Sequence, residues 1–426
     1  MTTAVQAPPT RVRNRVLAMG FFAAVITYLD RVCISAAAPA MTAELGLTQV
    51  QMGYVFASFA LAYAIFEVPA GLVGDRIGQR KVMTRIVGGW SVFTALTGMV
   101  TAYWQLLATR FVFGAAEAGA FPTLARALAR WFPVTERARA NGVLWTGARL
   151  GGSLAPPIAA VLVARLGWRE TFILFGVVGV VWCVWFWRSF RDDPAEHPDV
   201  NAAELSHIRS GMPAPKPRQR ESAPWGRILG SGTLWALFAM YFCSAYGFYF
   251  FVTWLPTFLM REHGMTLERS GLMAALPLGA GALGCLAGGV LADWLAKRTG
   301  SVKWSRRGMG VCSFFLAAAG FGLASLSGSP VTAVLCLAVA SGAHDLALPV
   351  AWATVTDVGG RFGGTTSGFM NTASSLSAML SSVSAAWLAA AFGSFDAMLA
   401  VASGVYVVGG LLWLLIDPTR PIAEDT

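Results

Sequence analysis

Charge is what this chain has least of. Only 13% of its 426 residues are Asp, Glu, Lys or Arg, where a soluble globular chain carries about 25%. That shortage excludes a water-facing surface over most of the length. Chemical motifs are missing too. There is no HExxH, no Walker loop and no GxSxG placed at a strand-to-helix turn, so hydrolytic and nucleotide-driven enzymes find no signature here. The six cysteines (Cys33, Cys183, Cys243, Cys285, Cys312, Cys336) contain no CxxC and all fall in apolar stretches. They read as small buried residues, with no metal site and no disulfide frame. A cleavable signal peptide is not expected either. Arg11, Arg13 and Arg15 precede the first apolar run, but that run holds Asp30 and Arg31 and is too long for an h-region.

What the chain has is apolar length. Hydrophobic residues make up 56% of it, and the mean hydropathy is +0.58. The long runs meet the length criterion for spanning helices, so the chain reads as a polytopic all-α membrane protein with the lipid bilayer as its solvent. Twelve apolar segments are centred near residues 26, 62, 92, 115, 151, 179, 245, 281, 317, 342, 377 and 406. The loops are short except for Arg191–Arg227, which holds Pro194, Pro198, Pro213, Pro215, Pro217 and Pro224 among many charges. This divides the chain into six segments (1–190), a linker (191–228) and six more segments with a short tail (229–426).

The net charge of +10 does not imply nucleic-acid binding, because membrane proteins gather Lys and Arg in cytoplasmic loops. One set of loops holds Arg11, Arg13, Arg15, Arg76, Arg80, Lys81, Arg85, Arg126, Arg130, Arg137, Arg139, the basic residues of the linker, Lys297, Arg298, Lys303, Arg306, Arg307 and Arg361. The alternate loops hold only Arg165, Arg169, Arg261 and Arg269. Both termini and the linker are therefore expected in the cytoplasm, with the chain in a bacterial inner membrane.

An internal repeat supports two related halves. GLVGDRIGQRK (Gly71–Lys81) follows the second segment and GVLADWLAKR (Gly289–Arg298) follows the eighth. Both read Gly-x-x-x-Asp, a bulky residue and a basic cluster, at the same point of each half. Gly71 and Gly289 would allow close helix contact, and Asp75 and Asp293 sit at helix ends, able to cap or pair across a loop. Two related halves around a central site are a common transporter plan.

The few charges inside the apolar segments carry the functional reading. WQLLATRFVFGAAEAGAFP (Trp104–Pro122) reads as a spanning helix, yet it contains Arg110 and Glu117. Seven residues make almost two turns, so the two side chains share a face about 10 Å apart along the axis. A charge at the centre of a lone spanning helix costs roughly 2.5–3.5 kcal/mol, and such residues usually face a protein interior or a watery path. Arg31, Arg110 and Arg149 are the cationic side chains inside spans. Arginine stays charged, and its planar fork suits a carboxylate, so the cavity is expected to select an organic anion. Glu117 is expected to couple transport to protons: ionised, it engages a cavity arginine; protonated, it frees that arginine for substrate. A structural Glu–Arg pair is the plainer alternative.

Other residues leave alternatives open. Neighbours on a helix point roughly 100° apart, so Asp30 and Arg31 cannot both face one spot. Arg31 is assigned to substrate, and Asp30 either takes a second proton or braces a neighbouring arginine. Arg149 either touches substrate or pairs with an acid such as Glu117. His344 and Asp345 either add a proton or substrate contact or form a satisfied packing pair. Tyr246 and Tyr249 offer hydroxyls or pack. Glu67 is placed at the cytoplasmic gate, near Asp75.

The motifs resemble the major facilitator superfamily, whose signature loop reads Gly-x-x-x-Asp-Arg-x-Gly-x-Arg-Lys as it stands at Gly71–Lys81. TYLDR (Thr27–Arg31), Gly53–Gly78, Arg110–Gly142 and WLPTFL (Trp254–Leu259) are similar to the anion:cation symporter family, which includes sugar-acid permeases and sialic-acid and vesicular glutamate carriers. The detailed likeness covers the N-terminal half. The resemblance implies a twelve-helix major facilitator fold of two pseudo-symmetric six-helix bundles. Segments 1, 4, 7 and 10 would line a cavity around which the halves rock. It implies Arg31 and Arg110 as carboxylate ligands, Asp30 and Glu117 as proton-coupling acids, Tyr63 as a cavity tyrosine, Asn371 as a polar residue of segment 11, and Gly71, Asp75, Arg76, Gly78 and Arg80 as the conformational loop. The sequence departs from the pattern at three places. Ser374 or Ser375 stands for a second asparagine, Glu67 stands where glutamine is usual, and His344–Asp345 belongs to no family pattern.

The expectation is a proton-coupled symporter of a sugar acid (aldonate, hexuronate or aldarate), monomeric, with no cofactor or metal and with protons as the coupling ion. An aromatic or other small carboxylate is the second choice of substrate, and an anion exporter or exchanger the alternative direction. An enzyme would need a catalytic domain for which the linker is too short and proline-rich.

Overall fold

A polypeptide in hydrocarbon has no water to serve its backbone, so its N–H and C=O groups must be satisfied within the segment, and helix follows. The computed structural model describes residues 8–133, 136–210, 225–359 and 363–419, with the backbone alone for 68–77, 137–139, 141, 293 and 363–365. Among the described residues the regular structure is helical throughout, without strands.

The first three segments are α1 (Val12–Glu44), α2 (Gln49–Ile77) and α3 (Gln79–Thr97). The fourth is divided into α4 (Tyr103–Glu117) and α5 (Ala120–Trp131), and α6 (Arg137–Leu166) and α7 (Trp168–Ser189) follow. A short α8 (Ala202–Arg209) and α9 (Trp225–Leu229) lie in the linker. The seventh segment is α10 (Gly232–Thr253) with α11 (Leu255–His263). The rest are α12 (Leu267–Thr299), α13 (Val302–Ser325), α14 (Pro330–Gly359), α15 (Gly363–Phe392) and α16 (Asp396–Trp413). Among the described residues ten helices are long and apolar enough to cross a membrane. The other two expected segments correspond to α3, whose first turns carry Gln79, Arg80 and Lys81, and to the divided α4–α5.

The division of the fourth segment differs from the unbroken helix expected through Pro122. Ala118 turns to ψ 134°, and Gly119 takes φ 87°, a left-handed conformation cheap only for glycine. The break falls directly after Glu117 and fixes where that side chain ends. The seventh segment breaks at Trp254 (φ −114°, ψ −14°), two residues before Pro256, which has no N–H to continue the ladder. The Trp254 indole instead donates to the Ser382 carbonyl on α15 at 3.0 Å.

Small residues set the closest helix contacts, as expected where apolar side chains gain nothing by leaving lipid. On α12, Gly284 and Gly288 let the helix lie directly against the Gly342 and Leu346 carbonyls of α14. The expected close contact at Gly289 is not made: among the described residues nothing lies within 4 Å of where its Cβ would be. One residue is about 100° of helix rotation, which turns Gly289 away from α14. At the end remote from the basic loops, Gly53 of α2 packs on Ala386 and the Ser382 carbonyl, and Gly271 of α12 packs on Ala160 and the Pro156 carbonyl of α6. Of the six cysteines expected to be buried, Cys33, Cys183 and Cys243 are, Cys285 and Cys336 are half-buried and Cys312 is exposed, because an apolar side chain facing lipid needs no protein cover.

The linker supplies caps that the helices lack. Arg11, before α1, offers no side-chain cap. Glu204 of α8 does so from 192 positions away, accepting from the Val12 N–H at 2.8 Å and the Arg13 N–H at 3.0 Å. Burial pushes the Glu204 carboxyl up, but hydrogen bonds from Thr10, Arg13 N–H and Val12 N–H, with the Arg13 charge, outweigh it and hold it below the usual glutamate range. Arg15 pairs with Asp199 at 2.9 Å beside it. Gly78, before α3, has φ 87° and no side chain, and Asp192 fills its place, accepting from the Arg80 N–H at 3.0 Å.

Candidate transport site

Arg31, from the middle of α1, reaches Glu117 at the last turn of α4. Both Nε (3.1 Å) and Nη2 donate to the same oxygen, Oε1. The second oxygen, Oε2, is buried and makes no hydrogen bond among the described residues. The arginine is 10% exposed and the acid not at all, so the cation faces the cavity with the carboxylate behind it. The guanidinium lies 5.1 Å from each of the Tyr28, Phe59 and Tyr63 ring centres. Gly114 makes this possible: a Cβ there would fall 2.5 Å from the Phe59 carbonyl, so α4 can approach α2 only with hydrogen at that position.

Arg110 lies one face further in. It is buried, its Nε and Nη1 make no hydrogen bond among the described residues, and its guanidinium sits 4.2 Å from the centre of Phe113 and 5.6 Å from that of Phe59. Asp30 is wholly buried, with both oxygens unbonded among the described residues. Its electrostatic neighbours are Glu117 and Arg110, with the Trp90 indole close but short of hydrogen-bond geometry. Adjacent residues thus divide as the 100° rotation requires. Arg31 faces the cavity, and Asp30 points among the helices towards Arg110. Two cations and two acids make one cluster.

The cavity itself is lined by Arg31, Arg110, Phe56, Phe59, Tyr249 and Ser382 among others, with a volume of about 20 Å³, room for about one water. A six-carbon acid enters only if these side chains move. Tyr249 is on the wall, but Tyr246 is not: its hydroxyl is used by Ser384 at 2.6 Å and Met398 at 3.5 Å. It stands three residues from Tyr249 on α10 yet packs towards α15 and α16. Glu67 accepts from Asn371 Nδ2 at 3.0 Å and has Arg31 as an electrostatic neighbour. These two expected residues therefore meet across α2 and α15, on the side of the arginine cluster. The side chains of Asp75, Arg76 and Asp293, and the surroundings of Gly71, lie outside the described residues. Arg80 donates to the Trp187 carbonyl and stacks on its ring at 4.3 Å.

Arg149 does not pair with Glu117. Its Nη2 donates to Asp345 Oδ1 of α14 at 2.8 Å, and the guanidinium lies 5.4 Å from the Phe248 ring centre. His344 Nδ1 is 3.3 Å from the same oxygen but is not aligned for a hydrogen bond. Its Nε2 meets Ser244 Oγ at 2.7 Å, and its ring stacks on Phe248.

Sequence reasoning missed Phe56 and Phe59 as parts of the wall and Phe248 as the ring beside Arg149. The signal for Phe59 was present: Phe59, Tyr63 and Glu67 recur every four residues, one stripe of α2. No local signal marks Phe248.

Comparison with known proteins agrees with this architecture. The model of the Major Facilitator Superfamily matches residues 20–382. The chain is 35% identical over 415 residues to the "Probable sulfoacetate transporter SauU" of Cupriavidus necator, covering 96% of this chain and 95% of that protein. It is 30% identical over 419 residues to a D-galactonate transporter of Escherichia coli O6:H1, covering 96% of each. It is 33% identical over 314 residues to the "Probable galactarate/D-glucarate transporter GudP" of E. coli K12, covering 70% of each. Among solved structures it resembles a bacterial homologue of the human lysosomal transporter Spinster in an inward-facing, occupied conformation, with a TM-score of 0.79 at 19% identity over 95% of this chain and 96% of that one. The chain, with its helical spans and its buried charges gathered round a cavity, belongs to the Major Facilitator Superfamily and is a multi-pass membrane transporter, not an enzyme.

Proposed function

We propose that the chain is a proton-coupled symporter of a carboxylated organic anion, with a sugar acid as first substrate class. The observation that carries this is the balance of the buried cluster. With Asp30 and Glu117 ionised, Arg31 and Arg110 are neutralised, and nearby Glu67 adds further negative charge. Such a cavity does not attract an anion. A proton on Glu117 leaves Arg31 without its partner, and the guanidinium then turns its fork to a carboxylate. Proton and anion bind together or not at all. Relatives named for D-galactonate and galactarate/D-glucarate support the substrate class.

A second reading, a small sulfonate, is favoured by the relative named for sulfoacetate and by the apolar walls at Phe56 and Phe59. In either case segments 1–190 and 229–426 act as two bundles rocking about the cavity, joined by 191–228. The basic loops and both termini lie in the cytoplasm of a bacterial inner membrane. The monomer is the working unit, and protons take the place of any cofactor.

The experiment is uptake by proteoliposomes of labelled galactonate, galactarate and sulfoacetate, with and without an inward-directed proton gradient. Accumulation that collapses with the gradient supports symport. Uptake indifferent to it rejects proton coupling, and net efflux from right-side-out vesicles under the same gradient rejects import.

A further inference from the structure

We propose that Arg149 and Asp345 form a second anion subsite, so that the substrate is an anion charged at both ends. This rests on the reading of the chain as an anion symporter and narrows it. The geometry of the Arg31–Glu117 pair is repeated at Arg149–Asp345. In each, an arginine with 10–15% exposure stands before an acid with 0–1%. In each, one carboxylate oxygen takes the arginine and the other (Glu117 Oε2, Asp345 Oδ2) is buried with no hydrogen bond among the described residues. In each, the guanidinium lies near aromatic rings.

The two arginines also face common neighbours. Tyr28 lies beneath Arg31 at 5.1 Å and is an electrostatic neighbour of Arg149. Phe248 lies beneath Arg149, and its neighbour Tyr249 lines the Arg31 cavity. A single solute charged at both ends and lying between these rings would meet one guanidinium at each end.

Asp345 is the removable partner. Arg149 faces it from α6, His344 and Ser341 from α14, Tyr406 from α16 and Cys285 from α12, with Ser244 of α10 holding His344. Arg149 is the one fixed cation among them. When a proton from water adds to Asp345, the ion pair opens and Arg149 takes the second carboxylate or sulfonate. On release the anion leaves, the proton returns to water and the pair re-forms. Two acids then bring two protons with one dianion, and the crossing moves no net charge.

The test compares galactarate with galactonate, which differ only in the second terminal carboxylate, and adds sulfoacetate as a compact two-ended anion. Uptake is measured in proteoliposomes for the wild type, for Arg149→Gln, and for the double variant Arg149→Gln/Asp345→Asn. The double variant removes both charges at once and avoids stranding a buried acid. The expected result is a wild-type preference of at least tenfold for galactarate or sulfoacetate over galactonate, and a fall of at least tenfold in that preference in both variants. Equal loss of all three substrates would make the pair a brace between α6 and α14 and overturn the proposal. A wild type that prefers galactonate would overturn it while leaving anion symport standing. A wild type that carries none of the three would overturn both.

Discussion

Arg31 spends two of its donors on one oxygen of Glu117 and leaves the other oxygen bare. A carboxylate held this way can lose its arginine in one motion, because a single acceptor atom is released. Replacing Glu117 with Gln keeps the shape and removes the proton. Glu117→Gln is expected to abolish gradient-driven accumulation while preserving counterflow exchange of preloaded anion. Loss of both in folded protein would show that the acid braces the helix instead.

The cavity arginines should not tolerate lysine. A hydrogen bond to a charged group contributes about 1.5–3 kcal/mol, so Arg31→Gln or Arg110→Gln is expected to raise the KM for anion roughly 10–100-fold, and both together to abolish uptake. Arg31→Lys should recover little, since an ammonium lacks the planar fork. Initial-rate uptake at several anion concentrations decides this, with thermal melting in detergent to confirm folding. Undiminished uptake in the double variant would refute the cavity assignment.

Two glycines make a matched pair. At Gly114 an added methyl would meet the Phe59 carbonyl at 2.5 Å, whereas at Gly289 it would meet none of the described residues within 4 Å. Gly114→Ala is expected to cost about 1–3 kcal/mol by overpacking and to displace Phe59 from beneath Arg31 and Arg110, lowering uptake. Gly289→Ala is expected to be neutral or to stabilise by about 0.4–1 kcal/mol. Melting temperatures of the two purified variants should move in opposite directions, or only the first should move.

The cap from the linker carries a pH dependence. Glu204 is depressed in the folded chain, and unfolded glutamate titrates near 4.3. Its stabilisation is therefore complete above about pH 4.3 and is lost as pH falls through the lower folded value. Glu204→Ala removes a cap worth about 1 kcal/mol. Hydrogen exchange at the Val12 and Arg13 amides should quicken in the variant at pH 7. The gap between variant and wild type should close on acidification below about pH 4. A gap that stays constant would mean that the carboxylate charge is not what holds these amides.

Much of the fold was legible because hydrocarbon permits few solutions. Each of the twelve apolar centres falls within a helix or a divided helix. Arg31, Arg110 and Glu117 were legible for the same reason, since charges are too costly in such segments to be incidental. Partnership was not legible. Arg149 and Asp345 are 196 positions apart, and nothing local tells whether Arg149 meets that acid or Glu117. Glu204 sits in a polar linker where one more glutamate carries no signal, yet it closes the start of α1. The break at Gly119 was hidden by helix-forming neighbours, and Gly289 was misread because a motif gives spacing but not the direction a residue faces.

The far end of the molecule is joined by contacts of a different kind from the cavity. Gly53 against Ala386 and the Ser382 carbonyl, and Gly271 against Ala160 and the Pro156 carbonyl, bring the helices close, and the polar ties nearby are uncharged: the Trp254 indole to the Ser382 carbonyl and Ser153 Oγ to the Ala275 carbonyl. Such a seam has volume to lose and almost no charge to separate. Opening it should therefore respond to anything that adds bulk between these helices, while ionic strength leaves it untouched. This end of the molecule is thus closed mainly by shape, where the arginine cluster is held by charge.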